Sequence, residues 1–277
     1  MAATSQEEIA AHERFAFGEN WRRFLAILDE PRIAKAEESL RGMLDVANLT
    51  GKTFLDIGCG SGLFSLAARR LGARVHSFDY DPQSVACAEE LRRRYLPQDS
   101  AWQIEEGSAL DTGYVAGLGL FDVVYSWGVL HHTGAMWQAL ESAAGRVAPG
   151  GQLFIAIYND QGKISDRWRT VKRTYNRLPG GVRFLVTVPA LVHLYWRRTL
   201  KDLLRGKPLE SWRREGQERG MSAWRDLIDW VGGYPFEVAK PEAILDFYLR
   251  RGFRLTRLTT CGGSLGCNEY VFVRPAA

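Results

Sequence analysis

Apolar residues recur along this chain with two periods, and the switch between them outlines the fold. Over residues 6–47 they stand three and four apart, the helical spacing, with Pro31 as a break. From residue 53 short apolar runs alternate with helical stretches. "TFLDI" (53–57) reads as a buried strand, 61–71 as a helix and "ARVHSFD" (73–79) as the next strand. "DPQSVACAEELRRRY" (81–95) reads as a helix with Asp81 as N-cap and Pro82 in its first turn. "AWQIEE" (101–106) and "FDVVYSW" (121–127) are strand-like, and "AMWQALESAAGRVA" (135–148) is helical. After a turn at 149–151, "QLFIAIY" (152–158) reads as a fifth strand. The alternation stops over 160–240, a segment rich in Arg and Trp and mostly helical in pattern. It resumes with a helix in 241–253 and strands at "RLTRLTT" and 268–275.

Strands alternating with helices predict an α/β fold with a mostly parallel sheet and helices on both faces. The chain divides into an N-terminal helical cap (1–48), a core (49–159), a helical insertion after the fifth strand (160–240) and a segment completing the core sheet (241–277).

Charge changes this picture in one place. The net charge is +4, yet residues 163–219 hold fifteen Lys/Arg against five Asp/Glu, and the remainder holds 21 against 27. A basic segment in an acidic body points either to an anionic surface or substrate, or to a solvated lid. "FLVTVPALVHLYWRR" (184–198) is apolar with basic flanks, too short to span a bilayer. It suits a peripheral membrane anchor, a buried helix broken at Pro189, or a dimer contact. The N-terminus lacks a basic-then-apolar leader, and the four cysteines show no CxxC pairing. These features lead us to expect a cytoplasmic protein, or one peripheral to the inner face of the membrane, and leave the oligomeric state open.

The candidate chemistry begins at "DIGCGSG". Its glycines, 58, 60 and 62, suit a tight turn that a ligand approaches closely, but Leu63 stands where a dinucleotide fingerprint needs glycine. No Walker lysine follows. Asp79 ends the next strand, at the spacing where a carboxylate reaches ribose hydroxyls; the alternative is a helix cap, which Asp81 fills better.

With these residues the chain resembles the class I S-adenosylmethionine-dependent methyltransferases. "LDIGCGSG", "VHSFDYD" and "EGSALD" are similar to their first three motifs. "FDVVYSWGVLHHTG" and "RVAPGGQLFIAIYN" are similar to the fourth and fifth. The resemblance covers roughly 50–160, more weakly 241–275, and implies a Rossmann-like seven-stranded sheet with a reversed final strand. It implies S-adenosyl-L-methionine as cofactor, with Asp56, Gly58, Cys59, Gly60 and Gly62 around its methionine portion and Asp79 on its ribose. Tyr80 would lie beside the adenine, with Ser108 and Ala109 at its edge. The family often has aspartate where Ser108 stands, so that contact is weaker here. Ser126 and Trp127, ending the fourth strand, would face the cofactor.

His131 or His132, just after that strand, is the candidate general base, His132 the preferred one. Adjacent histidines rarely face one ion, so no metal site is expected; Cys261 and Cys267 read as buried hairpin cysteines. For the acceptor, Phe17, Asn20 and Trp21 in "RFAFGENWRRFL" either close over the cofactor or form ordinary core. Asp226, Asp229, Tyr234 and Glu237 are further candidate contacts. These readings predict a biosynthetic methyltransferase acting on a small molecule, most often at oxygen, with nucleic acid not expected as a partner. The alternatives are an RNA methyltransferase using the basic insertion and a non-catalytic cofactor-binding module at a membrane or partner surface.

Overall fold

The structure, a computed structural model, describes residues 7–8, 11, 14–15, 17–207 and 223–276. They divide into two compact units, one within 18–165 and 236–277, the other within 1–17 and 166–235.

The first unit is built on a seven-stranded sheet. The strands are β1 (Thr53–Ile57), β2 (Arg74–Asp79), β3 (Trp102–Glu106), β4 (Phe121–Trp127), β5 (Val147–Tyr158), β6 (Arg254–Thr259) and β7 (Cys267–Val273), in spatial order β3-β2-β1-β4-β5-β7-β6. β1 through β5 pair in parallel, and β7 enters antiparallel between β5 and β6. Helices α1 (Phe17–Leu25), α2 (Glu30–Leu44), α3 (Leu63–Arg70), α4 (Pro82–Tyr95), α5 (Thr112–Gly117) and α6 (Met136–Ala144) precede β5. Among the described residues, α7 (Lys163–Arg177), α8 (Phe184–Leu204) and α9 (Ala223–Gly232) follow it. The last, α10 (Pro241–Leu249), leads into β6.

Strand periodicity sorts the core. Leu55, Val124 and Ile155 face one side with Leu140 of α6 and Ile244 of α10. Their neighbours Phe54, Tyr125 and Phe154 face the other, with Leu40 of α2, Leu66 of α3 and Leu91 of α4. Thus α2, expected in an N-terminal cap, is a layer of the sandwich. Pro31 lies in its first turn behind the N-cap Asp29.

Two sequence expectations are corrected. The helix read as 135–148 ends at Ala144, and β5 starts at Val147, which pairs with Phe121. Gly150, at φ +76°, and Gly151, crowded by the carbonyls of Ala148 and Asp122, let the strand run through the presumed turn. Cys261 and Cys267 are only partly buried.

In the second unit, Trp168 and Lys172 of α7 pack on Trp230 of α9, with the Lys172 ammonium 4.1 Å from that ring's centre. Asn176 donates to the Gly232 carbonyl (2.7 Å). α8 runs unbroken through Pro189, contrary to a break there. Proline removes one N–H, and the packing of Thr187, Ala190 and Tyr195 carries the helix past it. Among the described residues no helix is long and apolar enough to cross a membrane.

Candidate active site

The glycine turn after β1 is shaped by three neighbours. Gly58, Gly60 and Gly62 have φ of +74°, +53° and +80°, where an L side chain is strained. A Cβ on Gly58 would lie 2.3 Å from Val129, one on Gly62 2.9 Å from Ala88, and one on Gly60 2.8 Å from the Trp21 indole. The turn therefore meets the segment after β4, helix α1 and helix α4 at successive glycines. Cys59, between them, is buried and donates its N–H to Phe78 (3.1 Å).

Asp79 ends β2 with its carboxylate oriented by backbone donors. Gly60 N–H donates to one oxygen and Asp81 N–H to the other, each at 2.9 Å. Asp81 caps α4 by accepting from Gln83 N–H, and it also accepts from Gly18 N–H (2.9 Å both). That second bond fixes α1 to the start of α4. Tyr80, between the two aspartates, is partly buried. Gly107, just past β3, donates to the Asp79 carbonyl (3.0 Å), which brings Ser108 and the buried Ala109 alongside. The Ser108 hydroxyl accepts from Leu110 N–H (3.2 Å).

Asp56 is engaged inward. Ser65 donates to its carboxylate (2.5 Å), the Ser65 and Ser77 hydroxyls are 2.7 Å apart, and Trp102 Nε1 donates to Ser77 (2.8 Å). An indole only donates, so with Asp56 ionised the chain runs one way, Trp102 to Ser77 to Ser65 to Asp56. Burial pushes the Asp56 carboxyl up to about 7, against the Ser65 bond and aided by the Asp79 charge. At the end of β4, the buried Ser126 donates to the Ile57 carbonyl (2.9 Å), a tie between strands. Trp127 is exposed and donates to Glu269 of β7 (2.9 Å), across Ala156 of β5.

His131 and His132 lie in a 3-10 turn, Leu130–His132, directly after Val129. The residue that crowds Gly58 thus seats the histidines on the glycine turn. His131 is fully buried and His132 7% exposed. The His131 ring lies 4.0 Å from that of Tyr158, which ends β5, tilted 42° to it; Tyr158 lies 5.3 Å from His132 and 5.4 Å from Phe236. Glu237 N–H donates to the His131 carbonyl, and the Glu237 carboxylate accepts from Met136 N–H at the start of α6 (2.9 Å each). Glu237 is therefore a helix-terminal anion beside the histidine pair. Sequence reasoning missed Tyr158 and Phe236, although the place of Tyr158 at a strand's carboxyl end was a signal.

The other candidates lie in both units. Trp21 packs on Gly60 and edge-on to Phe24. Phe17 packs edge-on to Phe15, and Tyr234, in the insertion unit, accepts from Phe15 N–H (3.0 Å) through its carbonyl. The side chains of Asn20, Asp226 and Asp229 lie outside the described residues. Among the described residues no three His, Cys, Asp or Glu gather as a metal-ligating group.

Comparison with known proteins bears on the core's family and fold. A family described as a methyltransferase domain matches residues 55–153. A ubiquinone biosynthesis O-methyltransferase of Caulobacter vibrioides is 30% identical over 174 residues, 59% of this chain and 61% of the relative. A tRNA U34 carboxymethyltransferase of Klebsiella pneumoniae is 31% identical over 138 residues, 47% of this chain and 40% of the relative. The chain thus spans less than two thirds of either curated relative. A magnesium protoporphyrin IX methyltransferase from Synechocystis PCC 6803, solved with bound SAH, shares the fold at TM-score 0.55 and 15% identity, with 92% of this chain and 93% of that one covered.

The site residues fit the cofactor that such folds bind. The Asp79 carboxylate, fixed by the Gly60 and Asp81 N–H groups, stands beside a glycine turn with no phosphate-binding lysine. Residues 55–153 thus match a methyltransferase domain, and the seven-stranded sheet with its reversed last strand has the fold of a methyltransferase solved with bound SAH.

Proposed function

We propose that this chain methylates a small-molecule acceptor at oxygen, with His132 as the general base. S-adenosylmethionine, when bound, supplies a methyl group on an electrophilic sulfonium. The chain's own residues supply alignment and proton removal. Asp79 grips the ribose through a carboxylate held by Gly60 and Asp81, and Trp21 covers the glycine turn. The observation that carries the acceptor reading is the seat of the histidine turn on Gly58 through Val129, with Tyr158 and Phe236 forming an aromatic wall beside it. Flat rings favour a flat acceptor, and a water-poor wall strengthens a hydrogen bond from its hydroxyl to a neutral imidazole. Of the two histidines, His132 retains some exposure.

His132→Asn tests this with a phenol and hydroquinone panel. Turnover falls about 10²- to 10⁴-fold while affinity for S-adenosylhomocysteine stays within twofold. Unchanged turnover removes the base assignment.

A second reading, an RNA acceptor, is favoured by the similarity to the tRNA carboxymethyltransferase and by exposed basic residues such as Arg167, Arg173 and Lys201. The expectation that nucleic acid is not a partner draws no support from these similarities. Titrating tRNA binding against salt separates the two: an RNA enzyme shows steep salt-dependent affinity, a small-molecule enzyme none at low salt.

A further inference from the structure

Helix α8 carries an apolar face that its own unit does not cover. At about 100° per residue, Leu185, Val188, Val192, Trp196, Leu200 and Leu203 fall within one arc of roughly 120°. All are exposed, from 45% at Val188 to 59% at Leu185. The opposite face buries Thr187, Ala190, Tyr195 and Asp202 against the unit. The stripe is thus outward by construction, over the whole helix (Phe184–Leu204). Scattered surface leucines need no explanation, but a continuous stripe does.

What covers it is indicated by charge. Arg197 is exposed at one edge of the stripe, and Lys201, Arg205 and Lys207 are exposed toward the helix's C-terminal end. The Arg197 guanidinium lies 5.5 Å from the Trp196 ring, a basic group over an amphipathic aromatic. Arg167, Arg169, Arg173 and Arg177 of α7 are exposed in the same unit. A second copy would bring like charges together along the contact. RNA would satisfy the arginines but leave the aliphatic stripe in water. An anionic bilayer satisfies both: acyl chains take the stripe and lipid phosphates take the basic flank. The helix is about 31 Å long at 1.5 Å per residue, yet too polar to cross, so it lies in the plane of the surface.

We infer that α8 docks this protein on anionic phospholipid bilayers, with Leu185, Val192 and Trp196 entering the headgroup boundary. The test is co-sedimentation of the full chain with phosphatidylglycerol–phosphatidylcholine vesicles and with phosphatidylcholine alone. Binding is at least about tenfold tighter to the anionic vesicles and weakens with salt. The exposed-site variant Val192→Glu/Trp196→Glu lowers it by about tenfold or more, with unchanged Tm and unchanged S-adenosylhomocysteine affinity. Lys201→Ala lowers it about fivefold.

Four results overturn the inference. Wild-type protein fails to sediment with anionic vesicles, or the double variant binds like wild type. Light scattering shows a dimer that the double variant dissolves, or the same variant abolishes tRNA binding without touching vesicle binding. Cofactor affinity is read separately, so loss of the docking surface and loss of the methyltransferase reading give different outcomes.

Discussion

Replacing Gly60 with alanine tests the geometry of the cofactor turn with energies that separate. At φ +53° an L residue costs about 1–2 kcal/mol. The new methyl would also stand 2.8 Å from Trp21 Cε2 and 2.9 Å from Nε1, and such overpacking typically costs about 1–3 kcal/mol more. The single variant is therefore destabilised by about 2–5 kcal/mol. In a Trp21→Ala background the clash is gone and only the backbone cost of about 1–2 kcal/mol remains. The double-mutant cycle then reports a coupling of about 1–3 kcal/mol. In a domain of this size 1 kcal/mol moves Tm by about 2–4 °C, so differential scanning fluorimetry of the four proteins resolves the coupling. Additive Tm shifts would refute the placement of Trp21 on Gly60 and the cover it forms over the turn.

Three further outcomes follow from the site. Asp79→Asn keeps the shape but turns one acceptor into a donor facing the Gly60 or Asp81 N–H. With about 1.5–3 kcal/mol per charged hydrogen bond, calorimetry shows at least a tenfold loss of S-adenosylhomocysteine affinity, and a loss under threefold contradicts the role. Asp56 is pushed up to about 7 by burial from an ordinary 3.8, so the folded state holds a proton that the unfolded chain releases. Stability therefore falls as pH rises from about 4 to about 7, by about 4 kcal/mol at most, and levels off above. Asp56→Asn flattens that fall in urea titrations, and a parallel pH profile rejects the assignment. Ser77→Ala strands the Trp102 indole N–H and breaks the chain to Asp56, costing about 1–3 kcal/mol of unfolding free energy. A neutral change argues against the network.

What the sequence makes legible is the local part. β1 and β4 keep the predicted bounds because an apolar run beside glycine or aspartate has few alternatives. Asp81 caps α4 as expected because the cap is settled within three residues. Contacts across the fold leave no such trace. That Gly58 is crowded by Val129 and Gly60 by Trp21 depends on neighbours 71 and 39 residues away. Glu237, a candidate acceptor contact, also anchors the start of α6, 101 residues away in sequence. Tyr158 looked like the last residue of a strand, and becomes part of the site only where Phe236 returns beside it. The start of β5 was misread because the pairing of Val147 with Phe121 outweighs local turn propensity at Gly150 and Gly151.

The most direct measurement is isothermal titration of the purified full chain with S-adenosylhomocysteine. The account predicts one saturable site, a Tm that rises with ligand concentration, and loss of both in Asp79→Ala. No heat of binding and no Tm shift at millimolar ligand, from protein that is demonstrably folded, would contradict it.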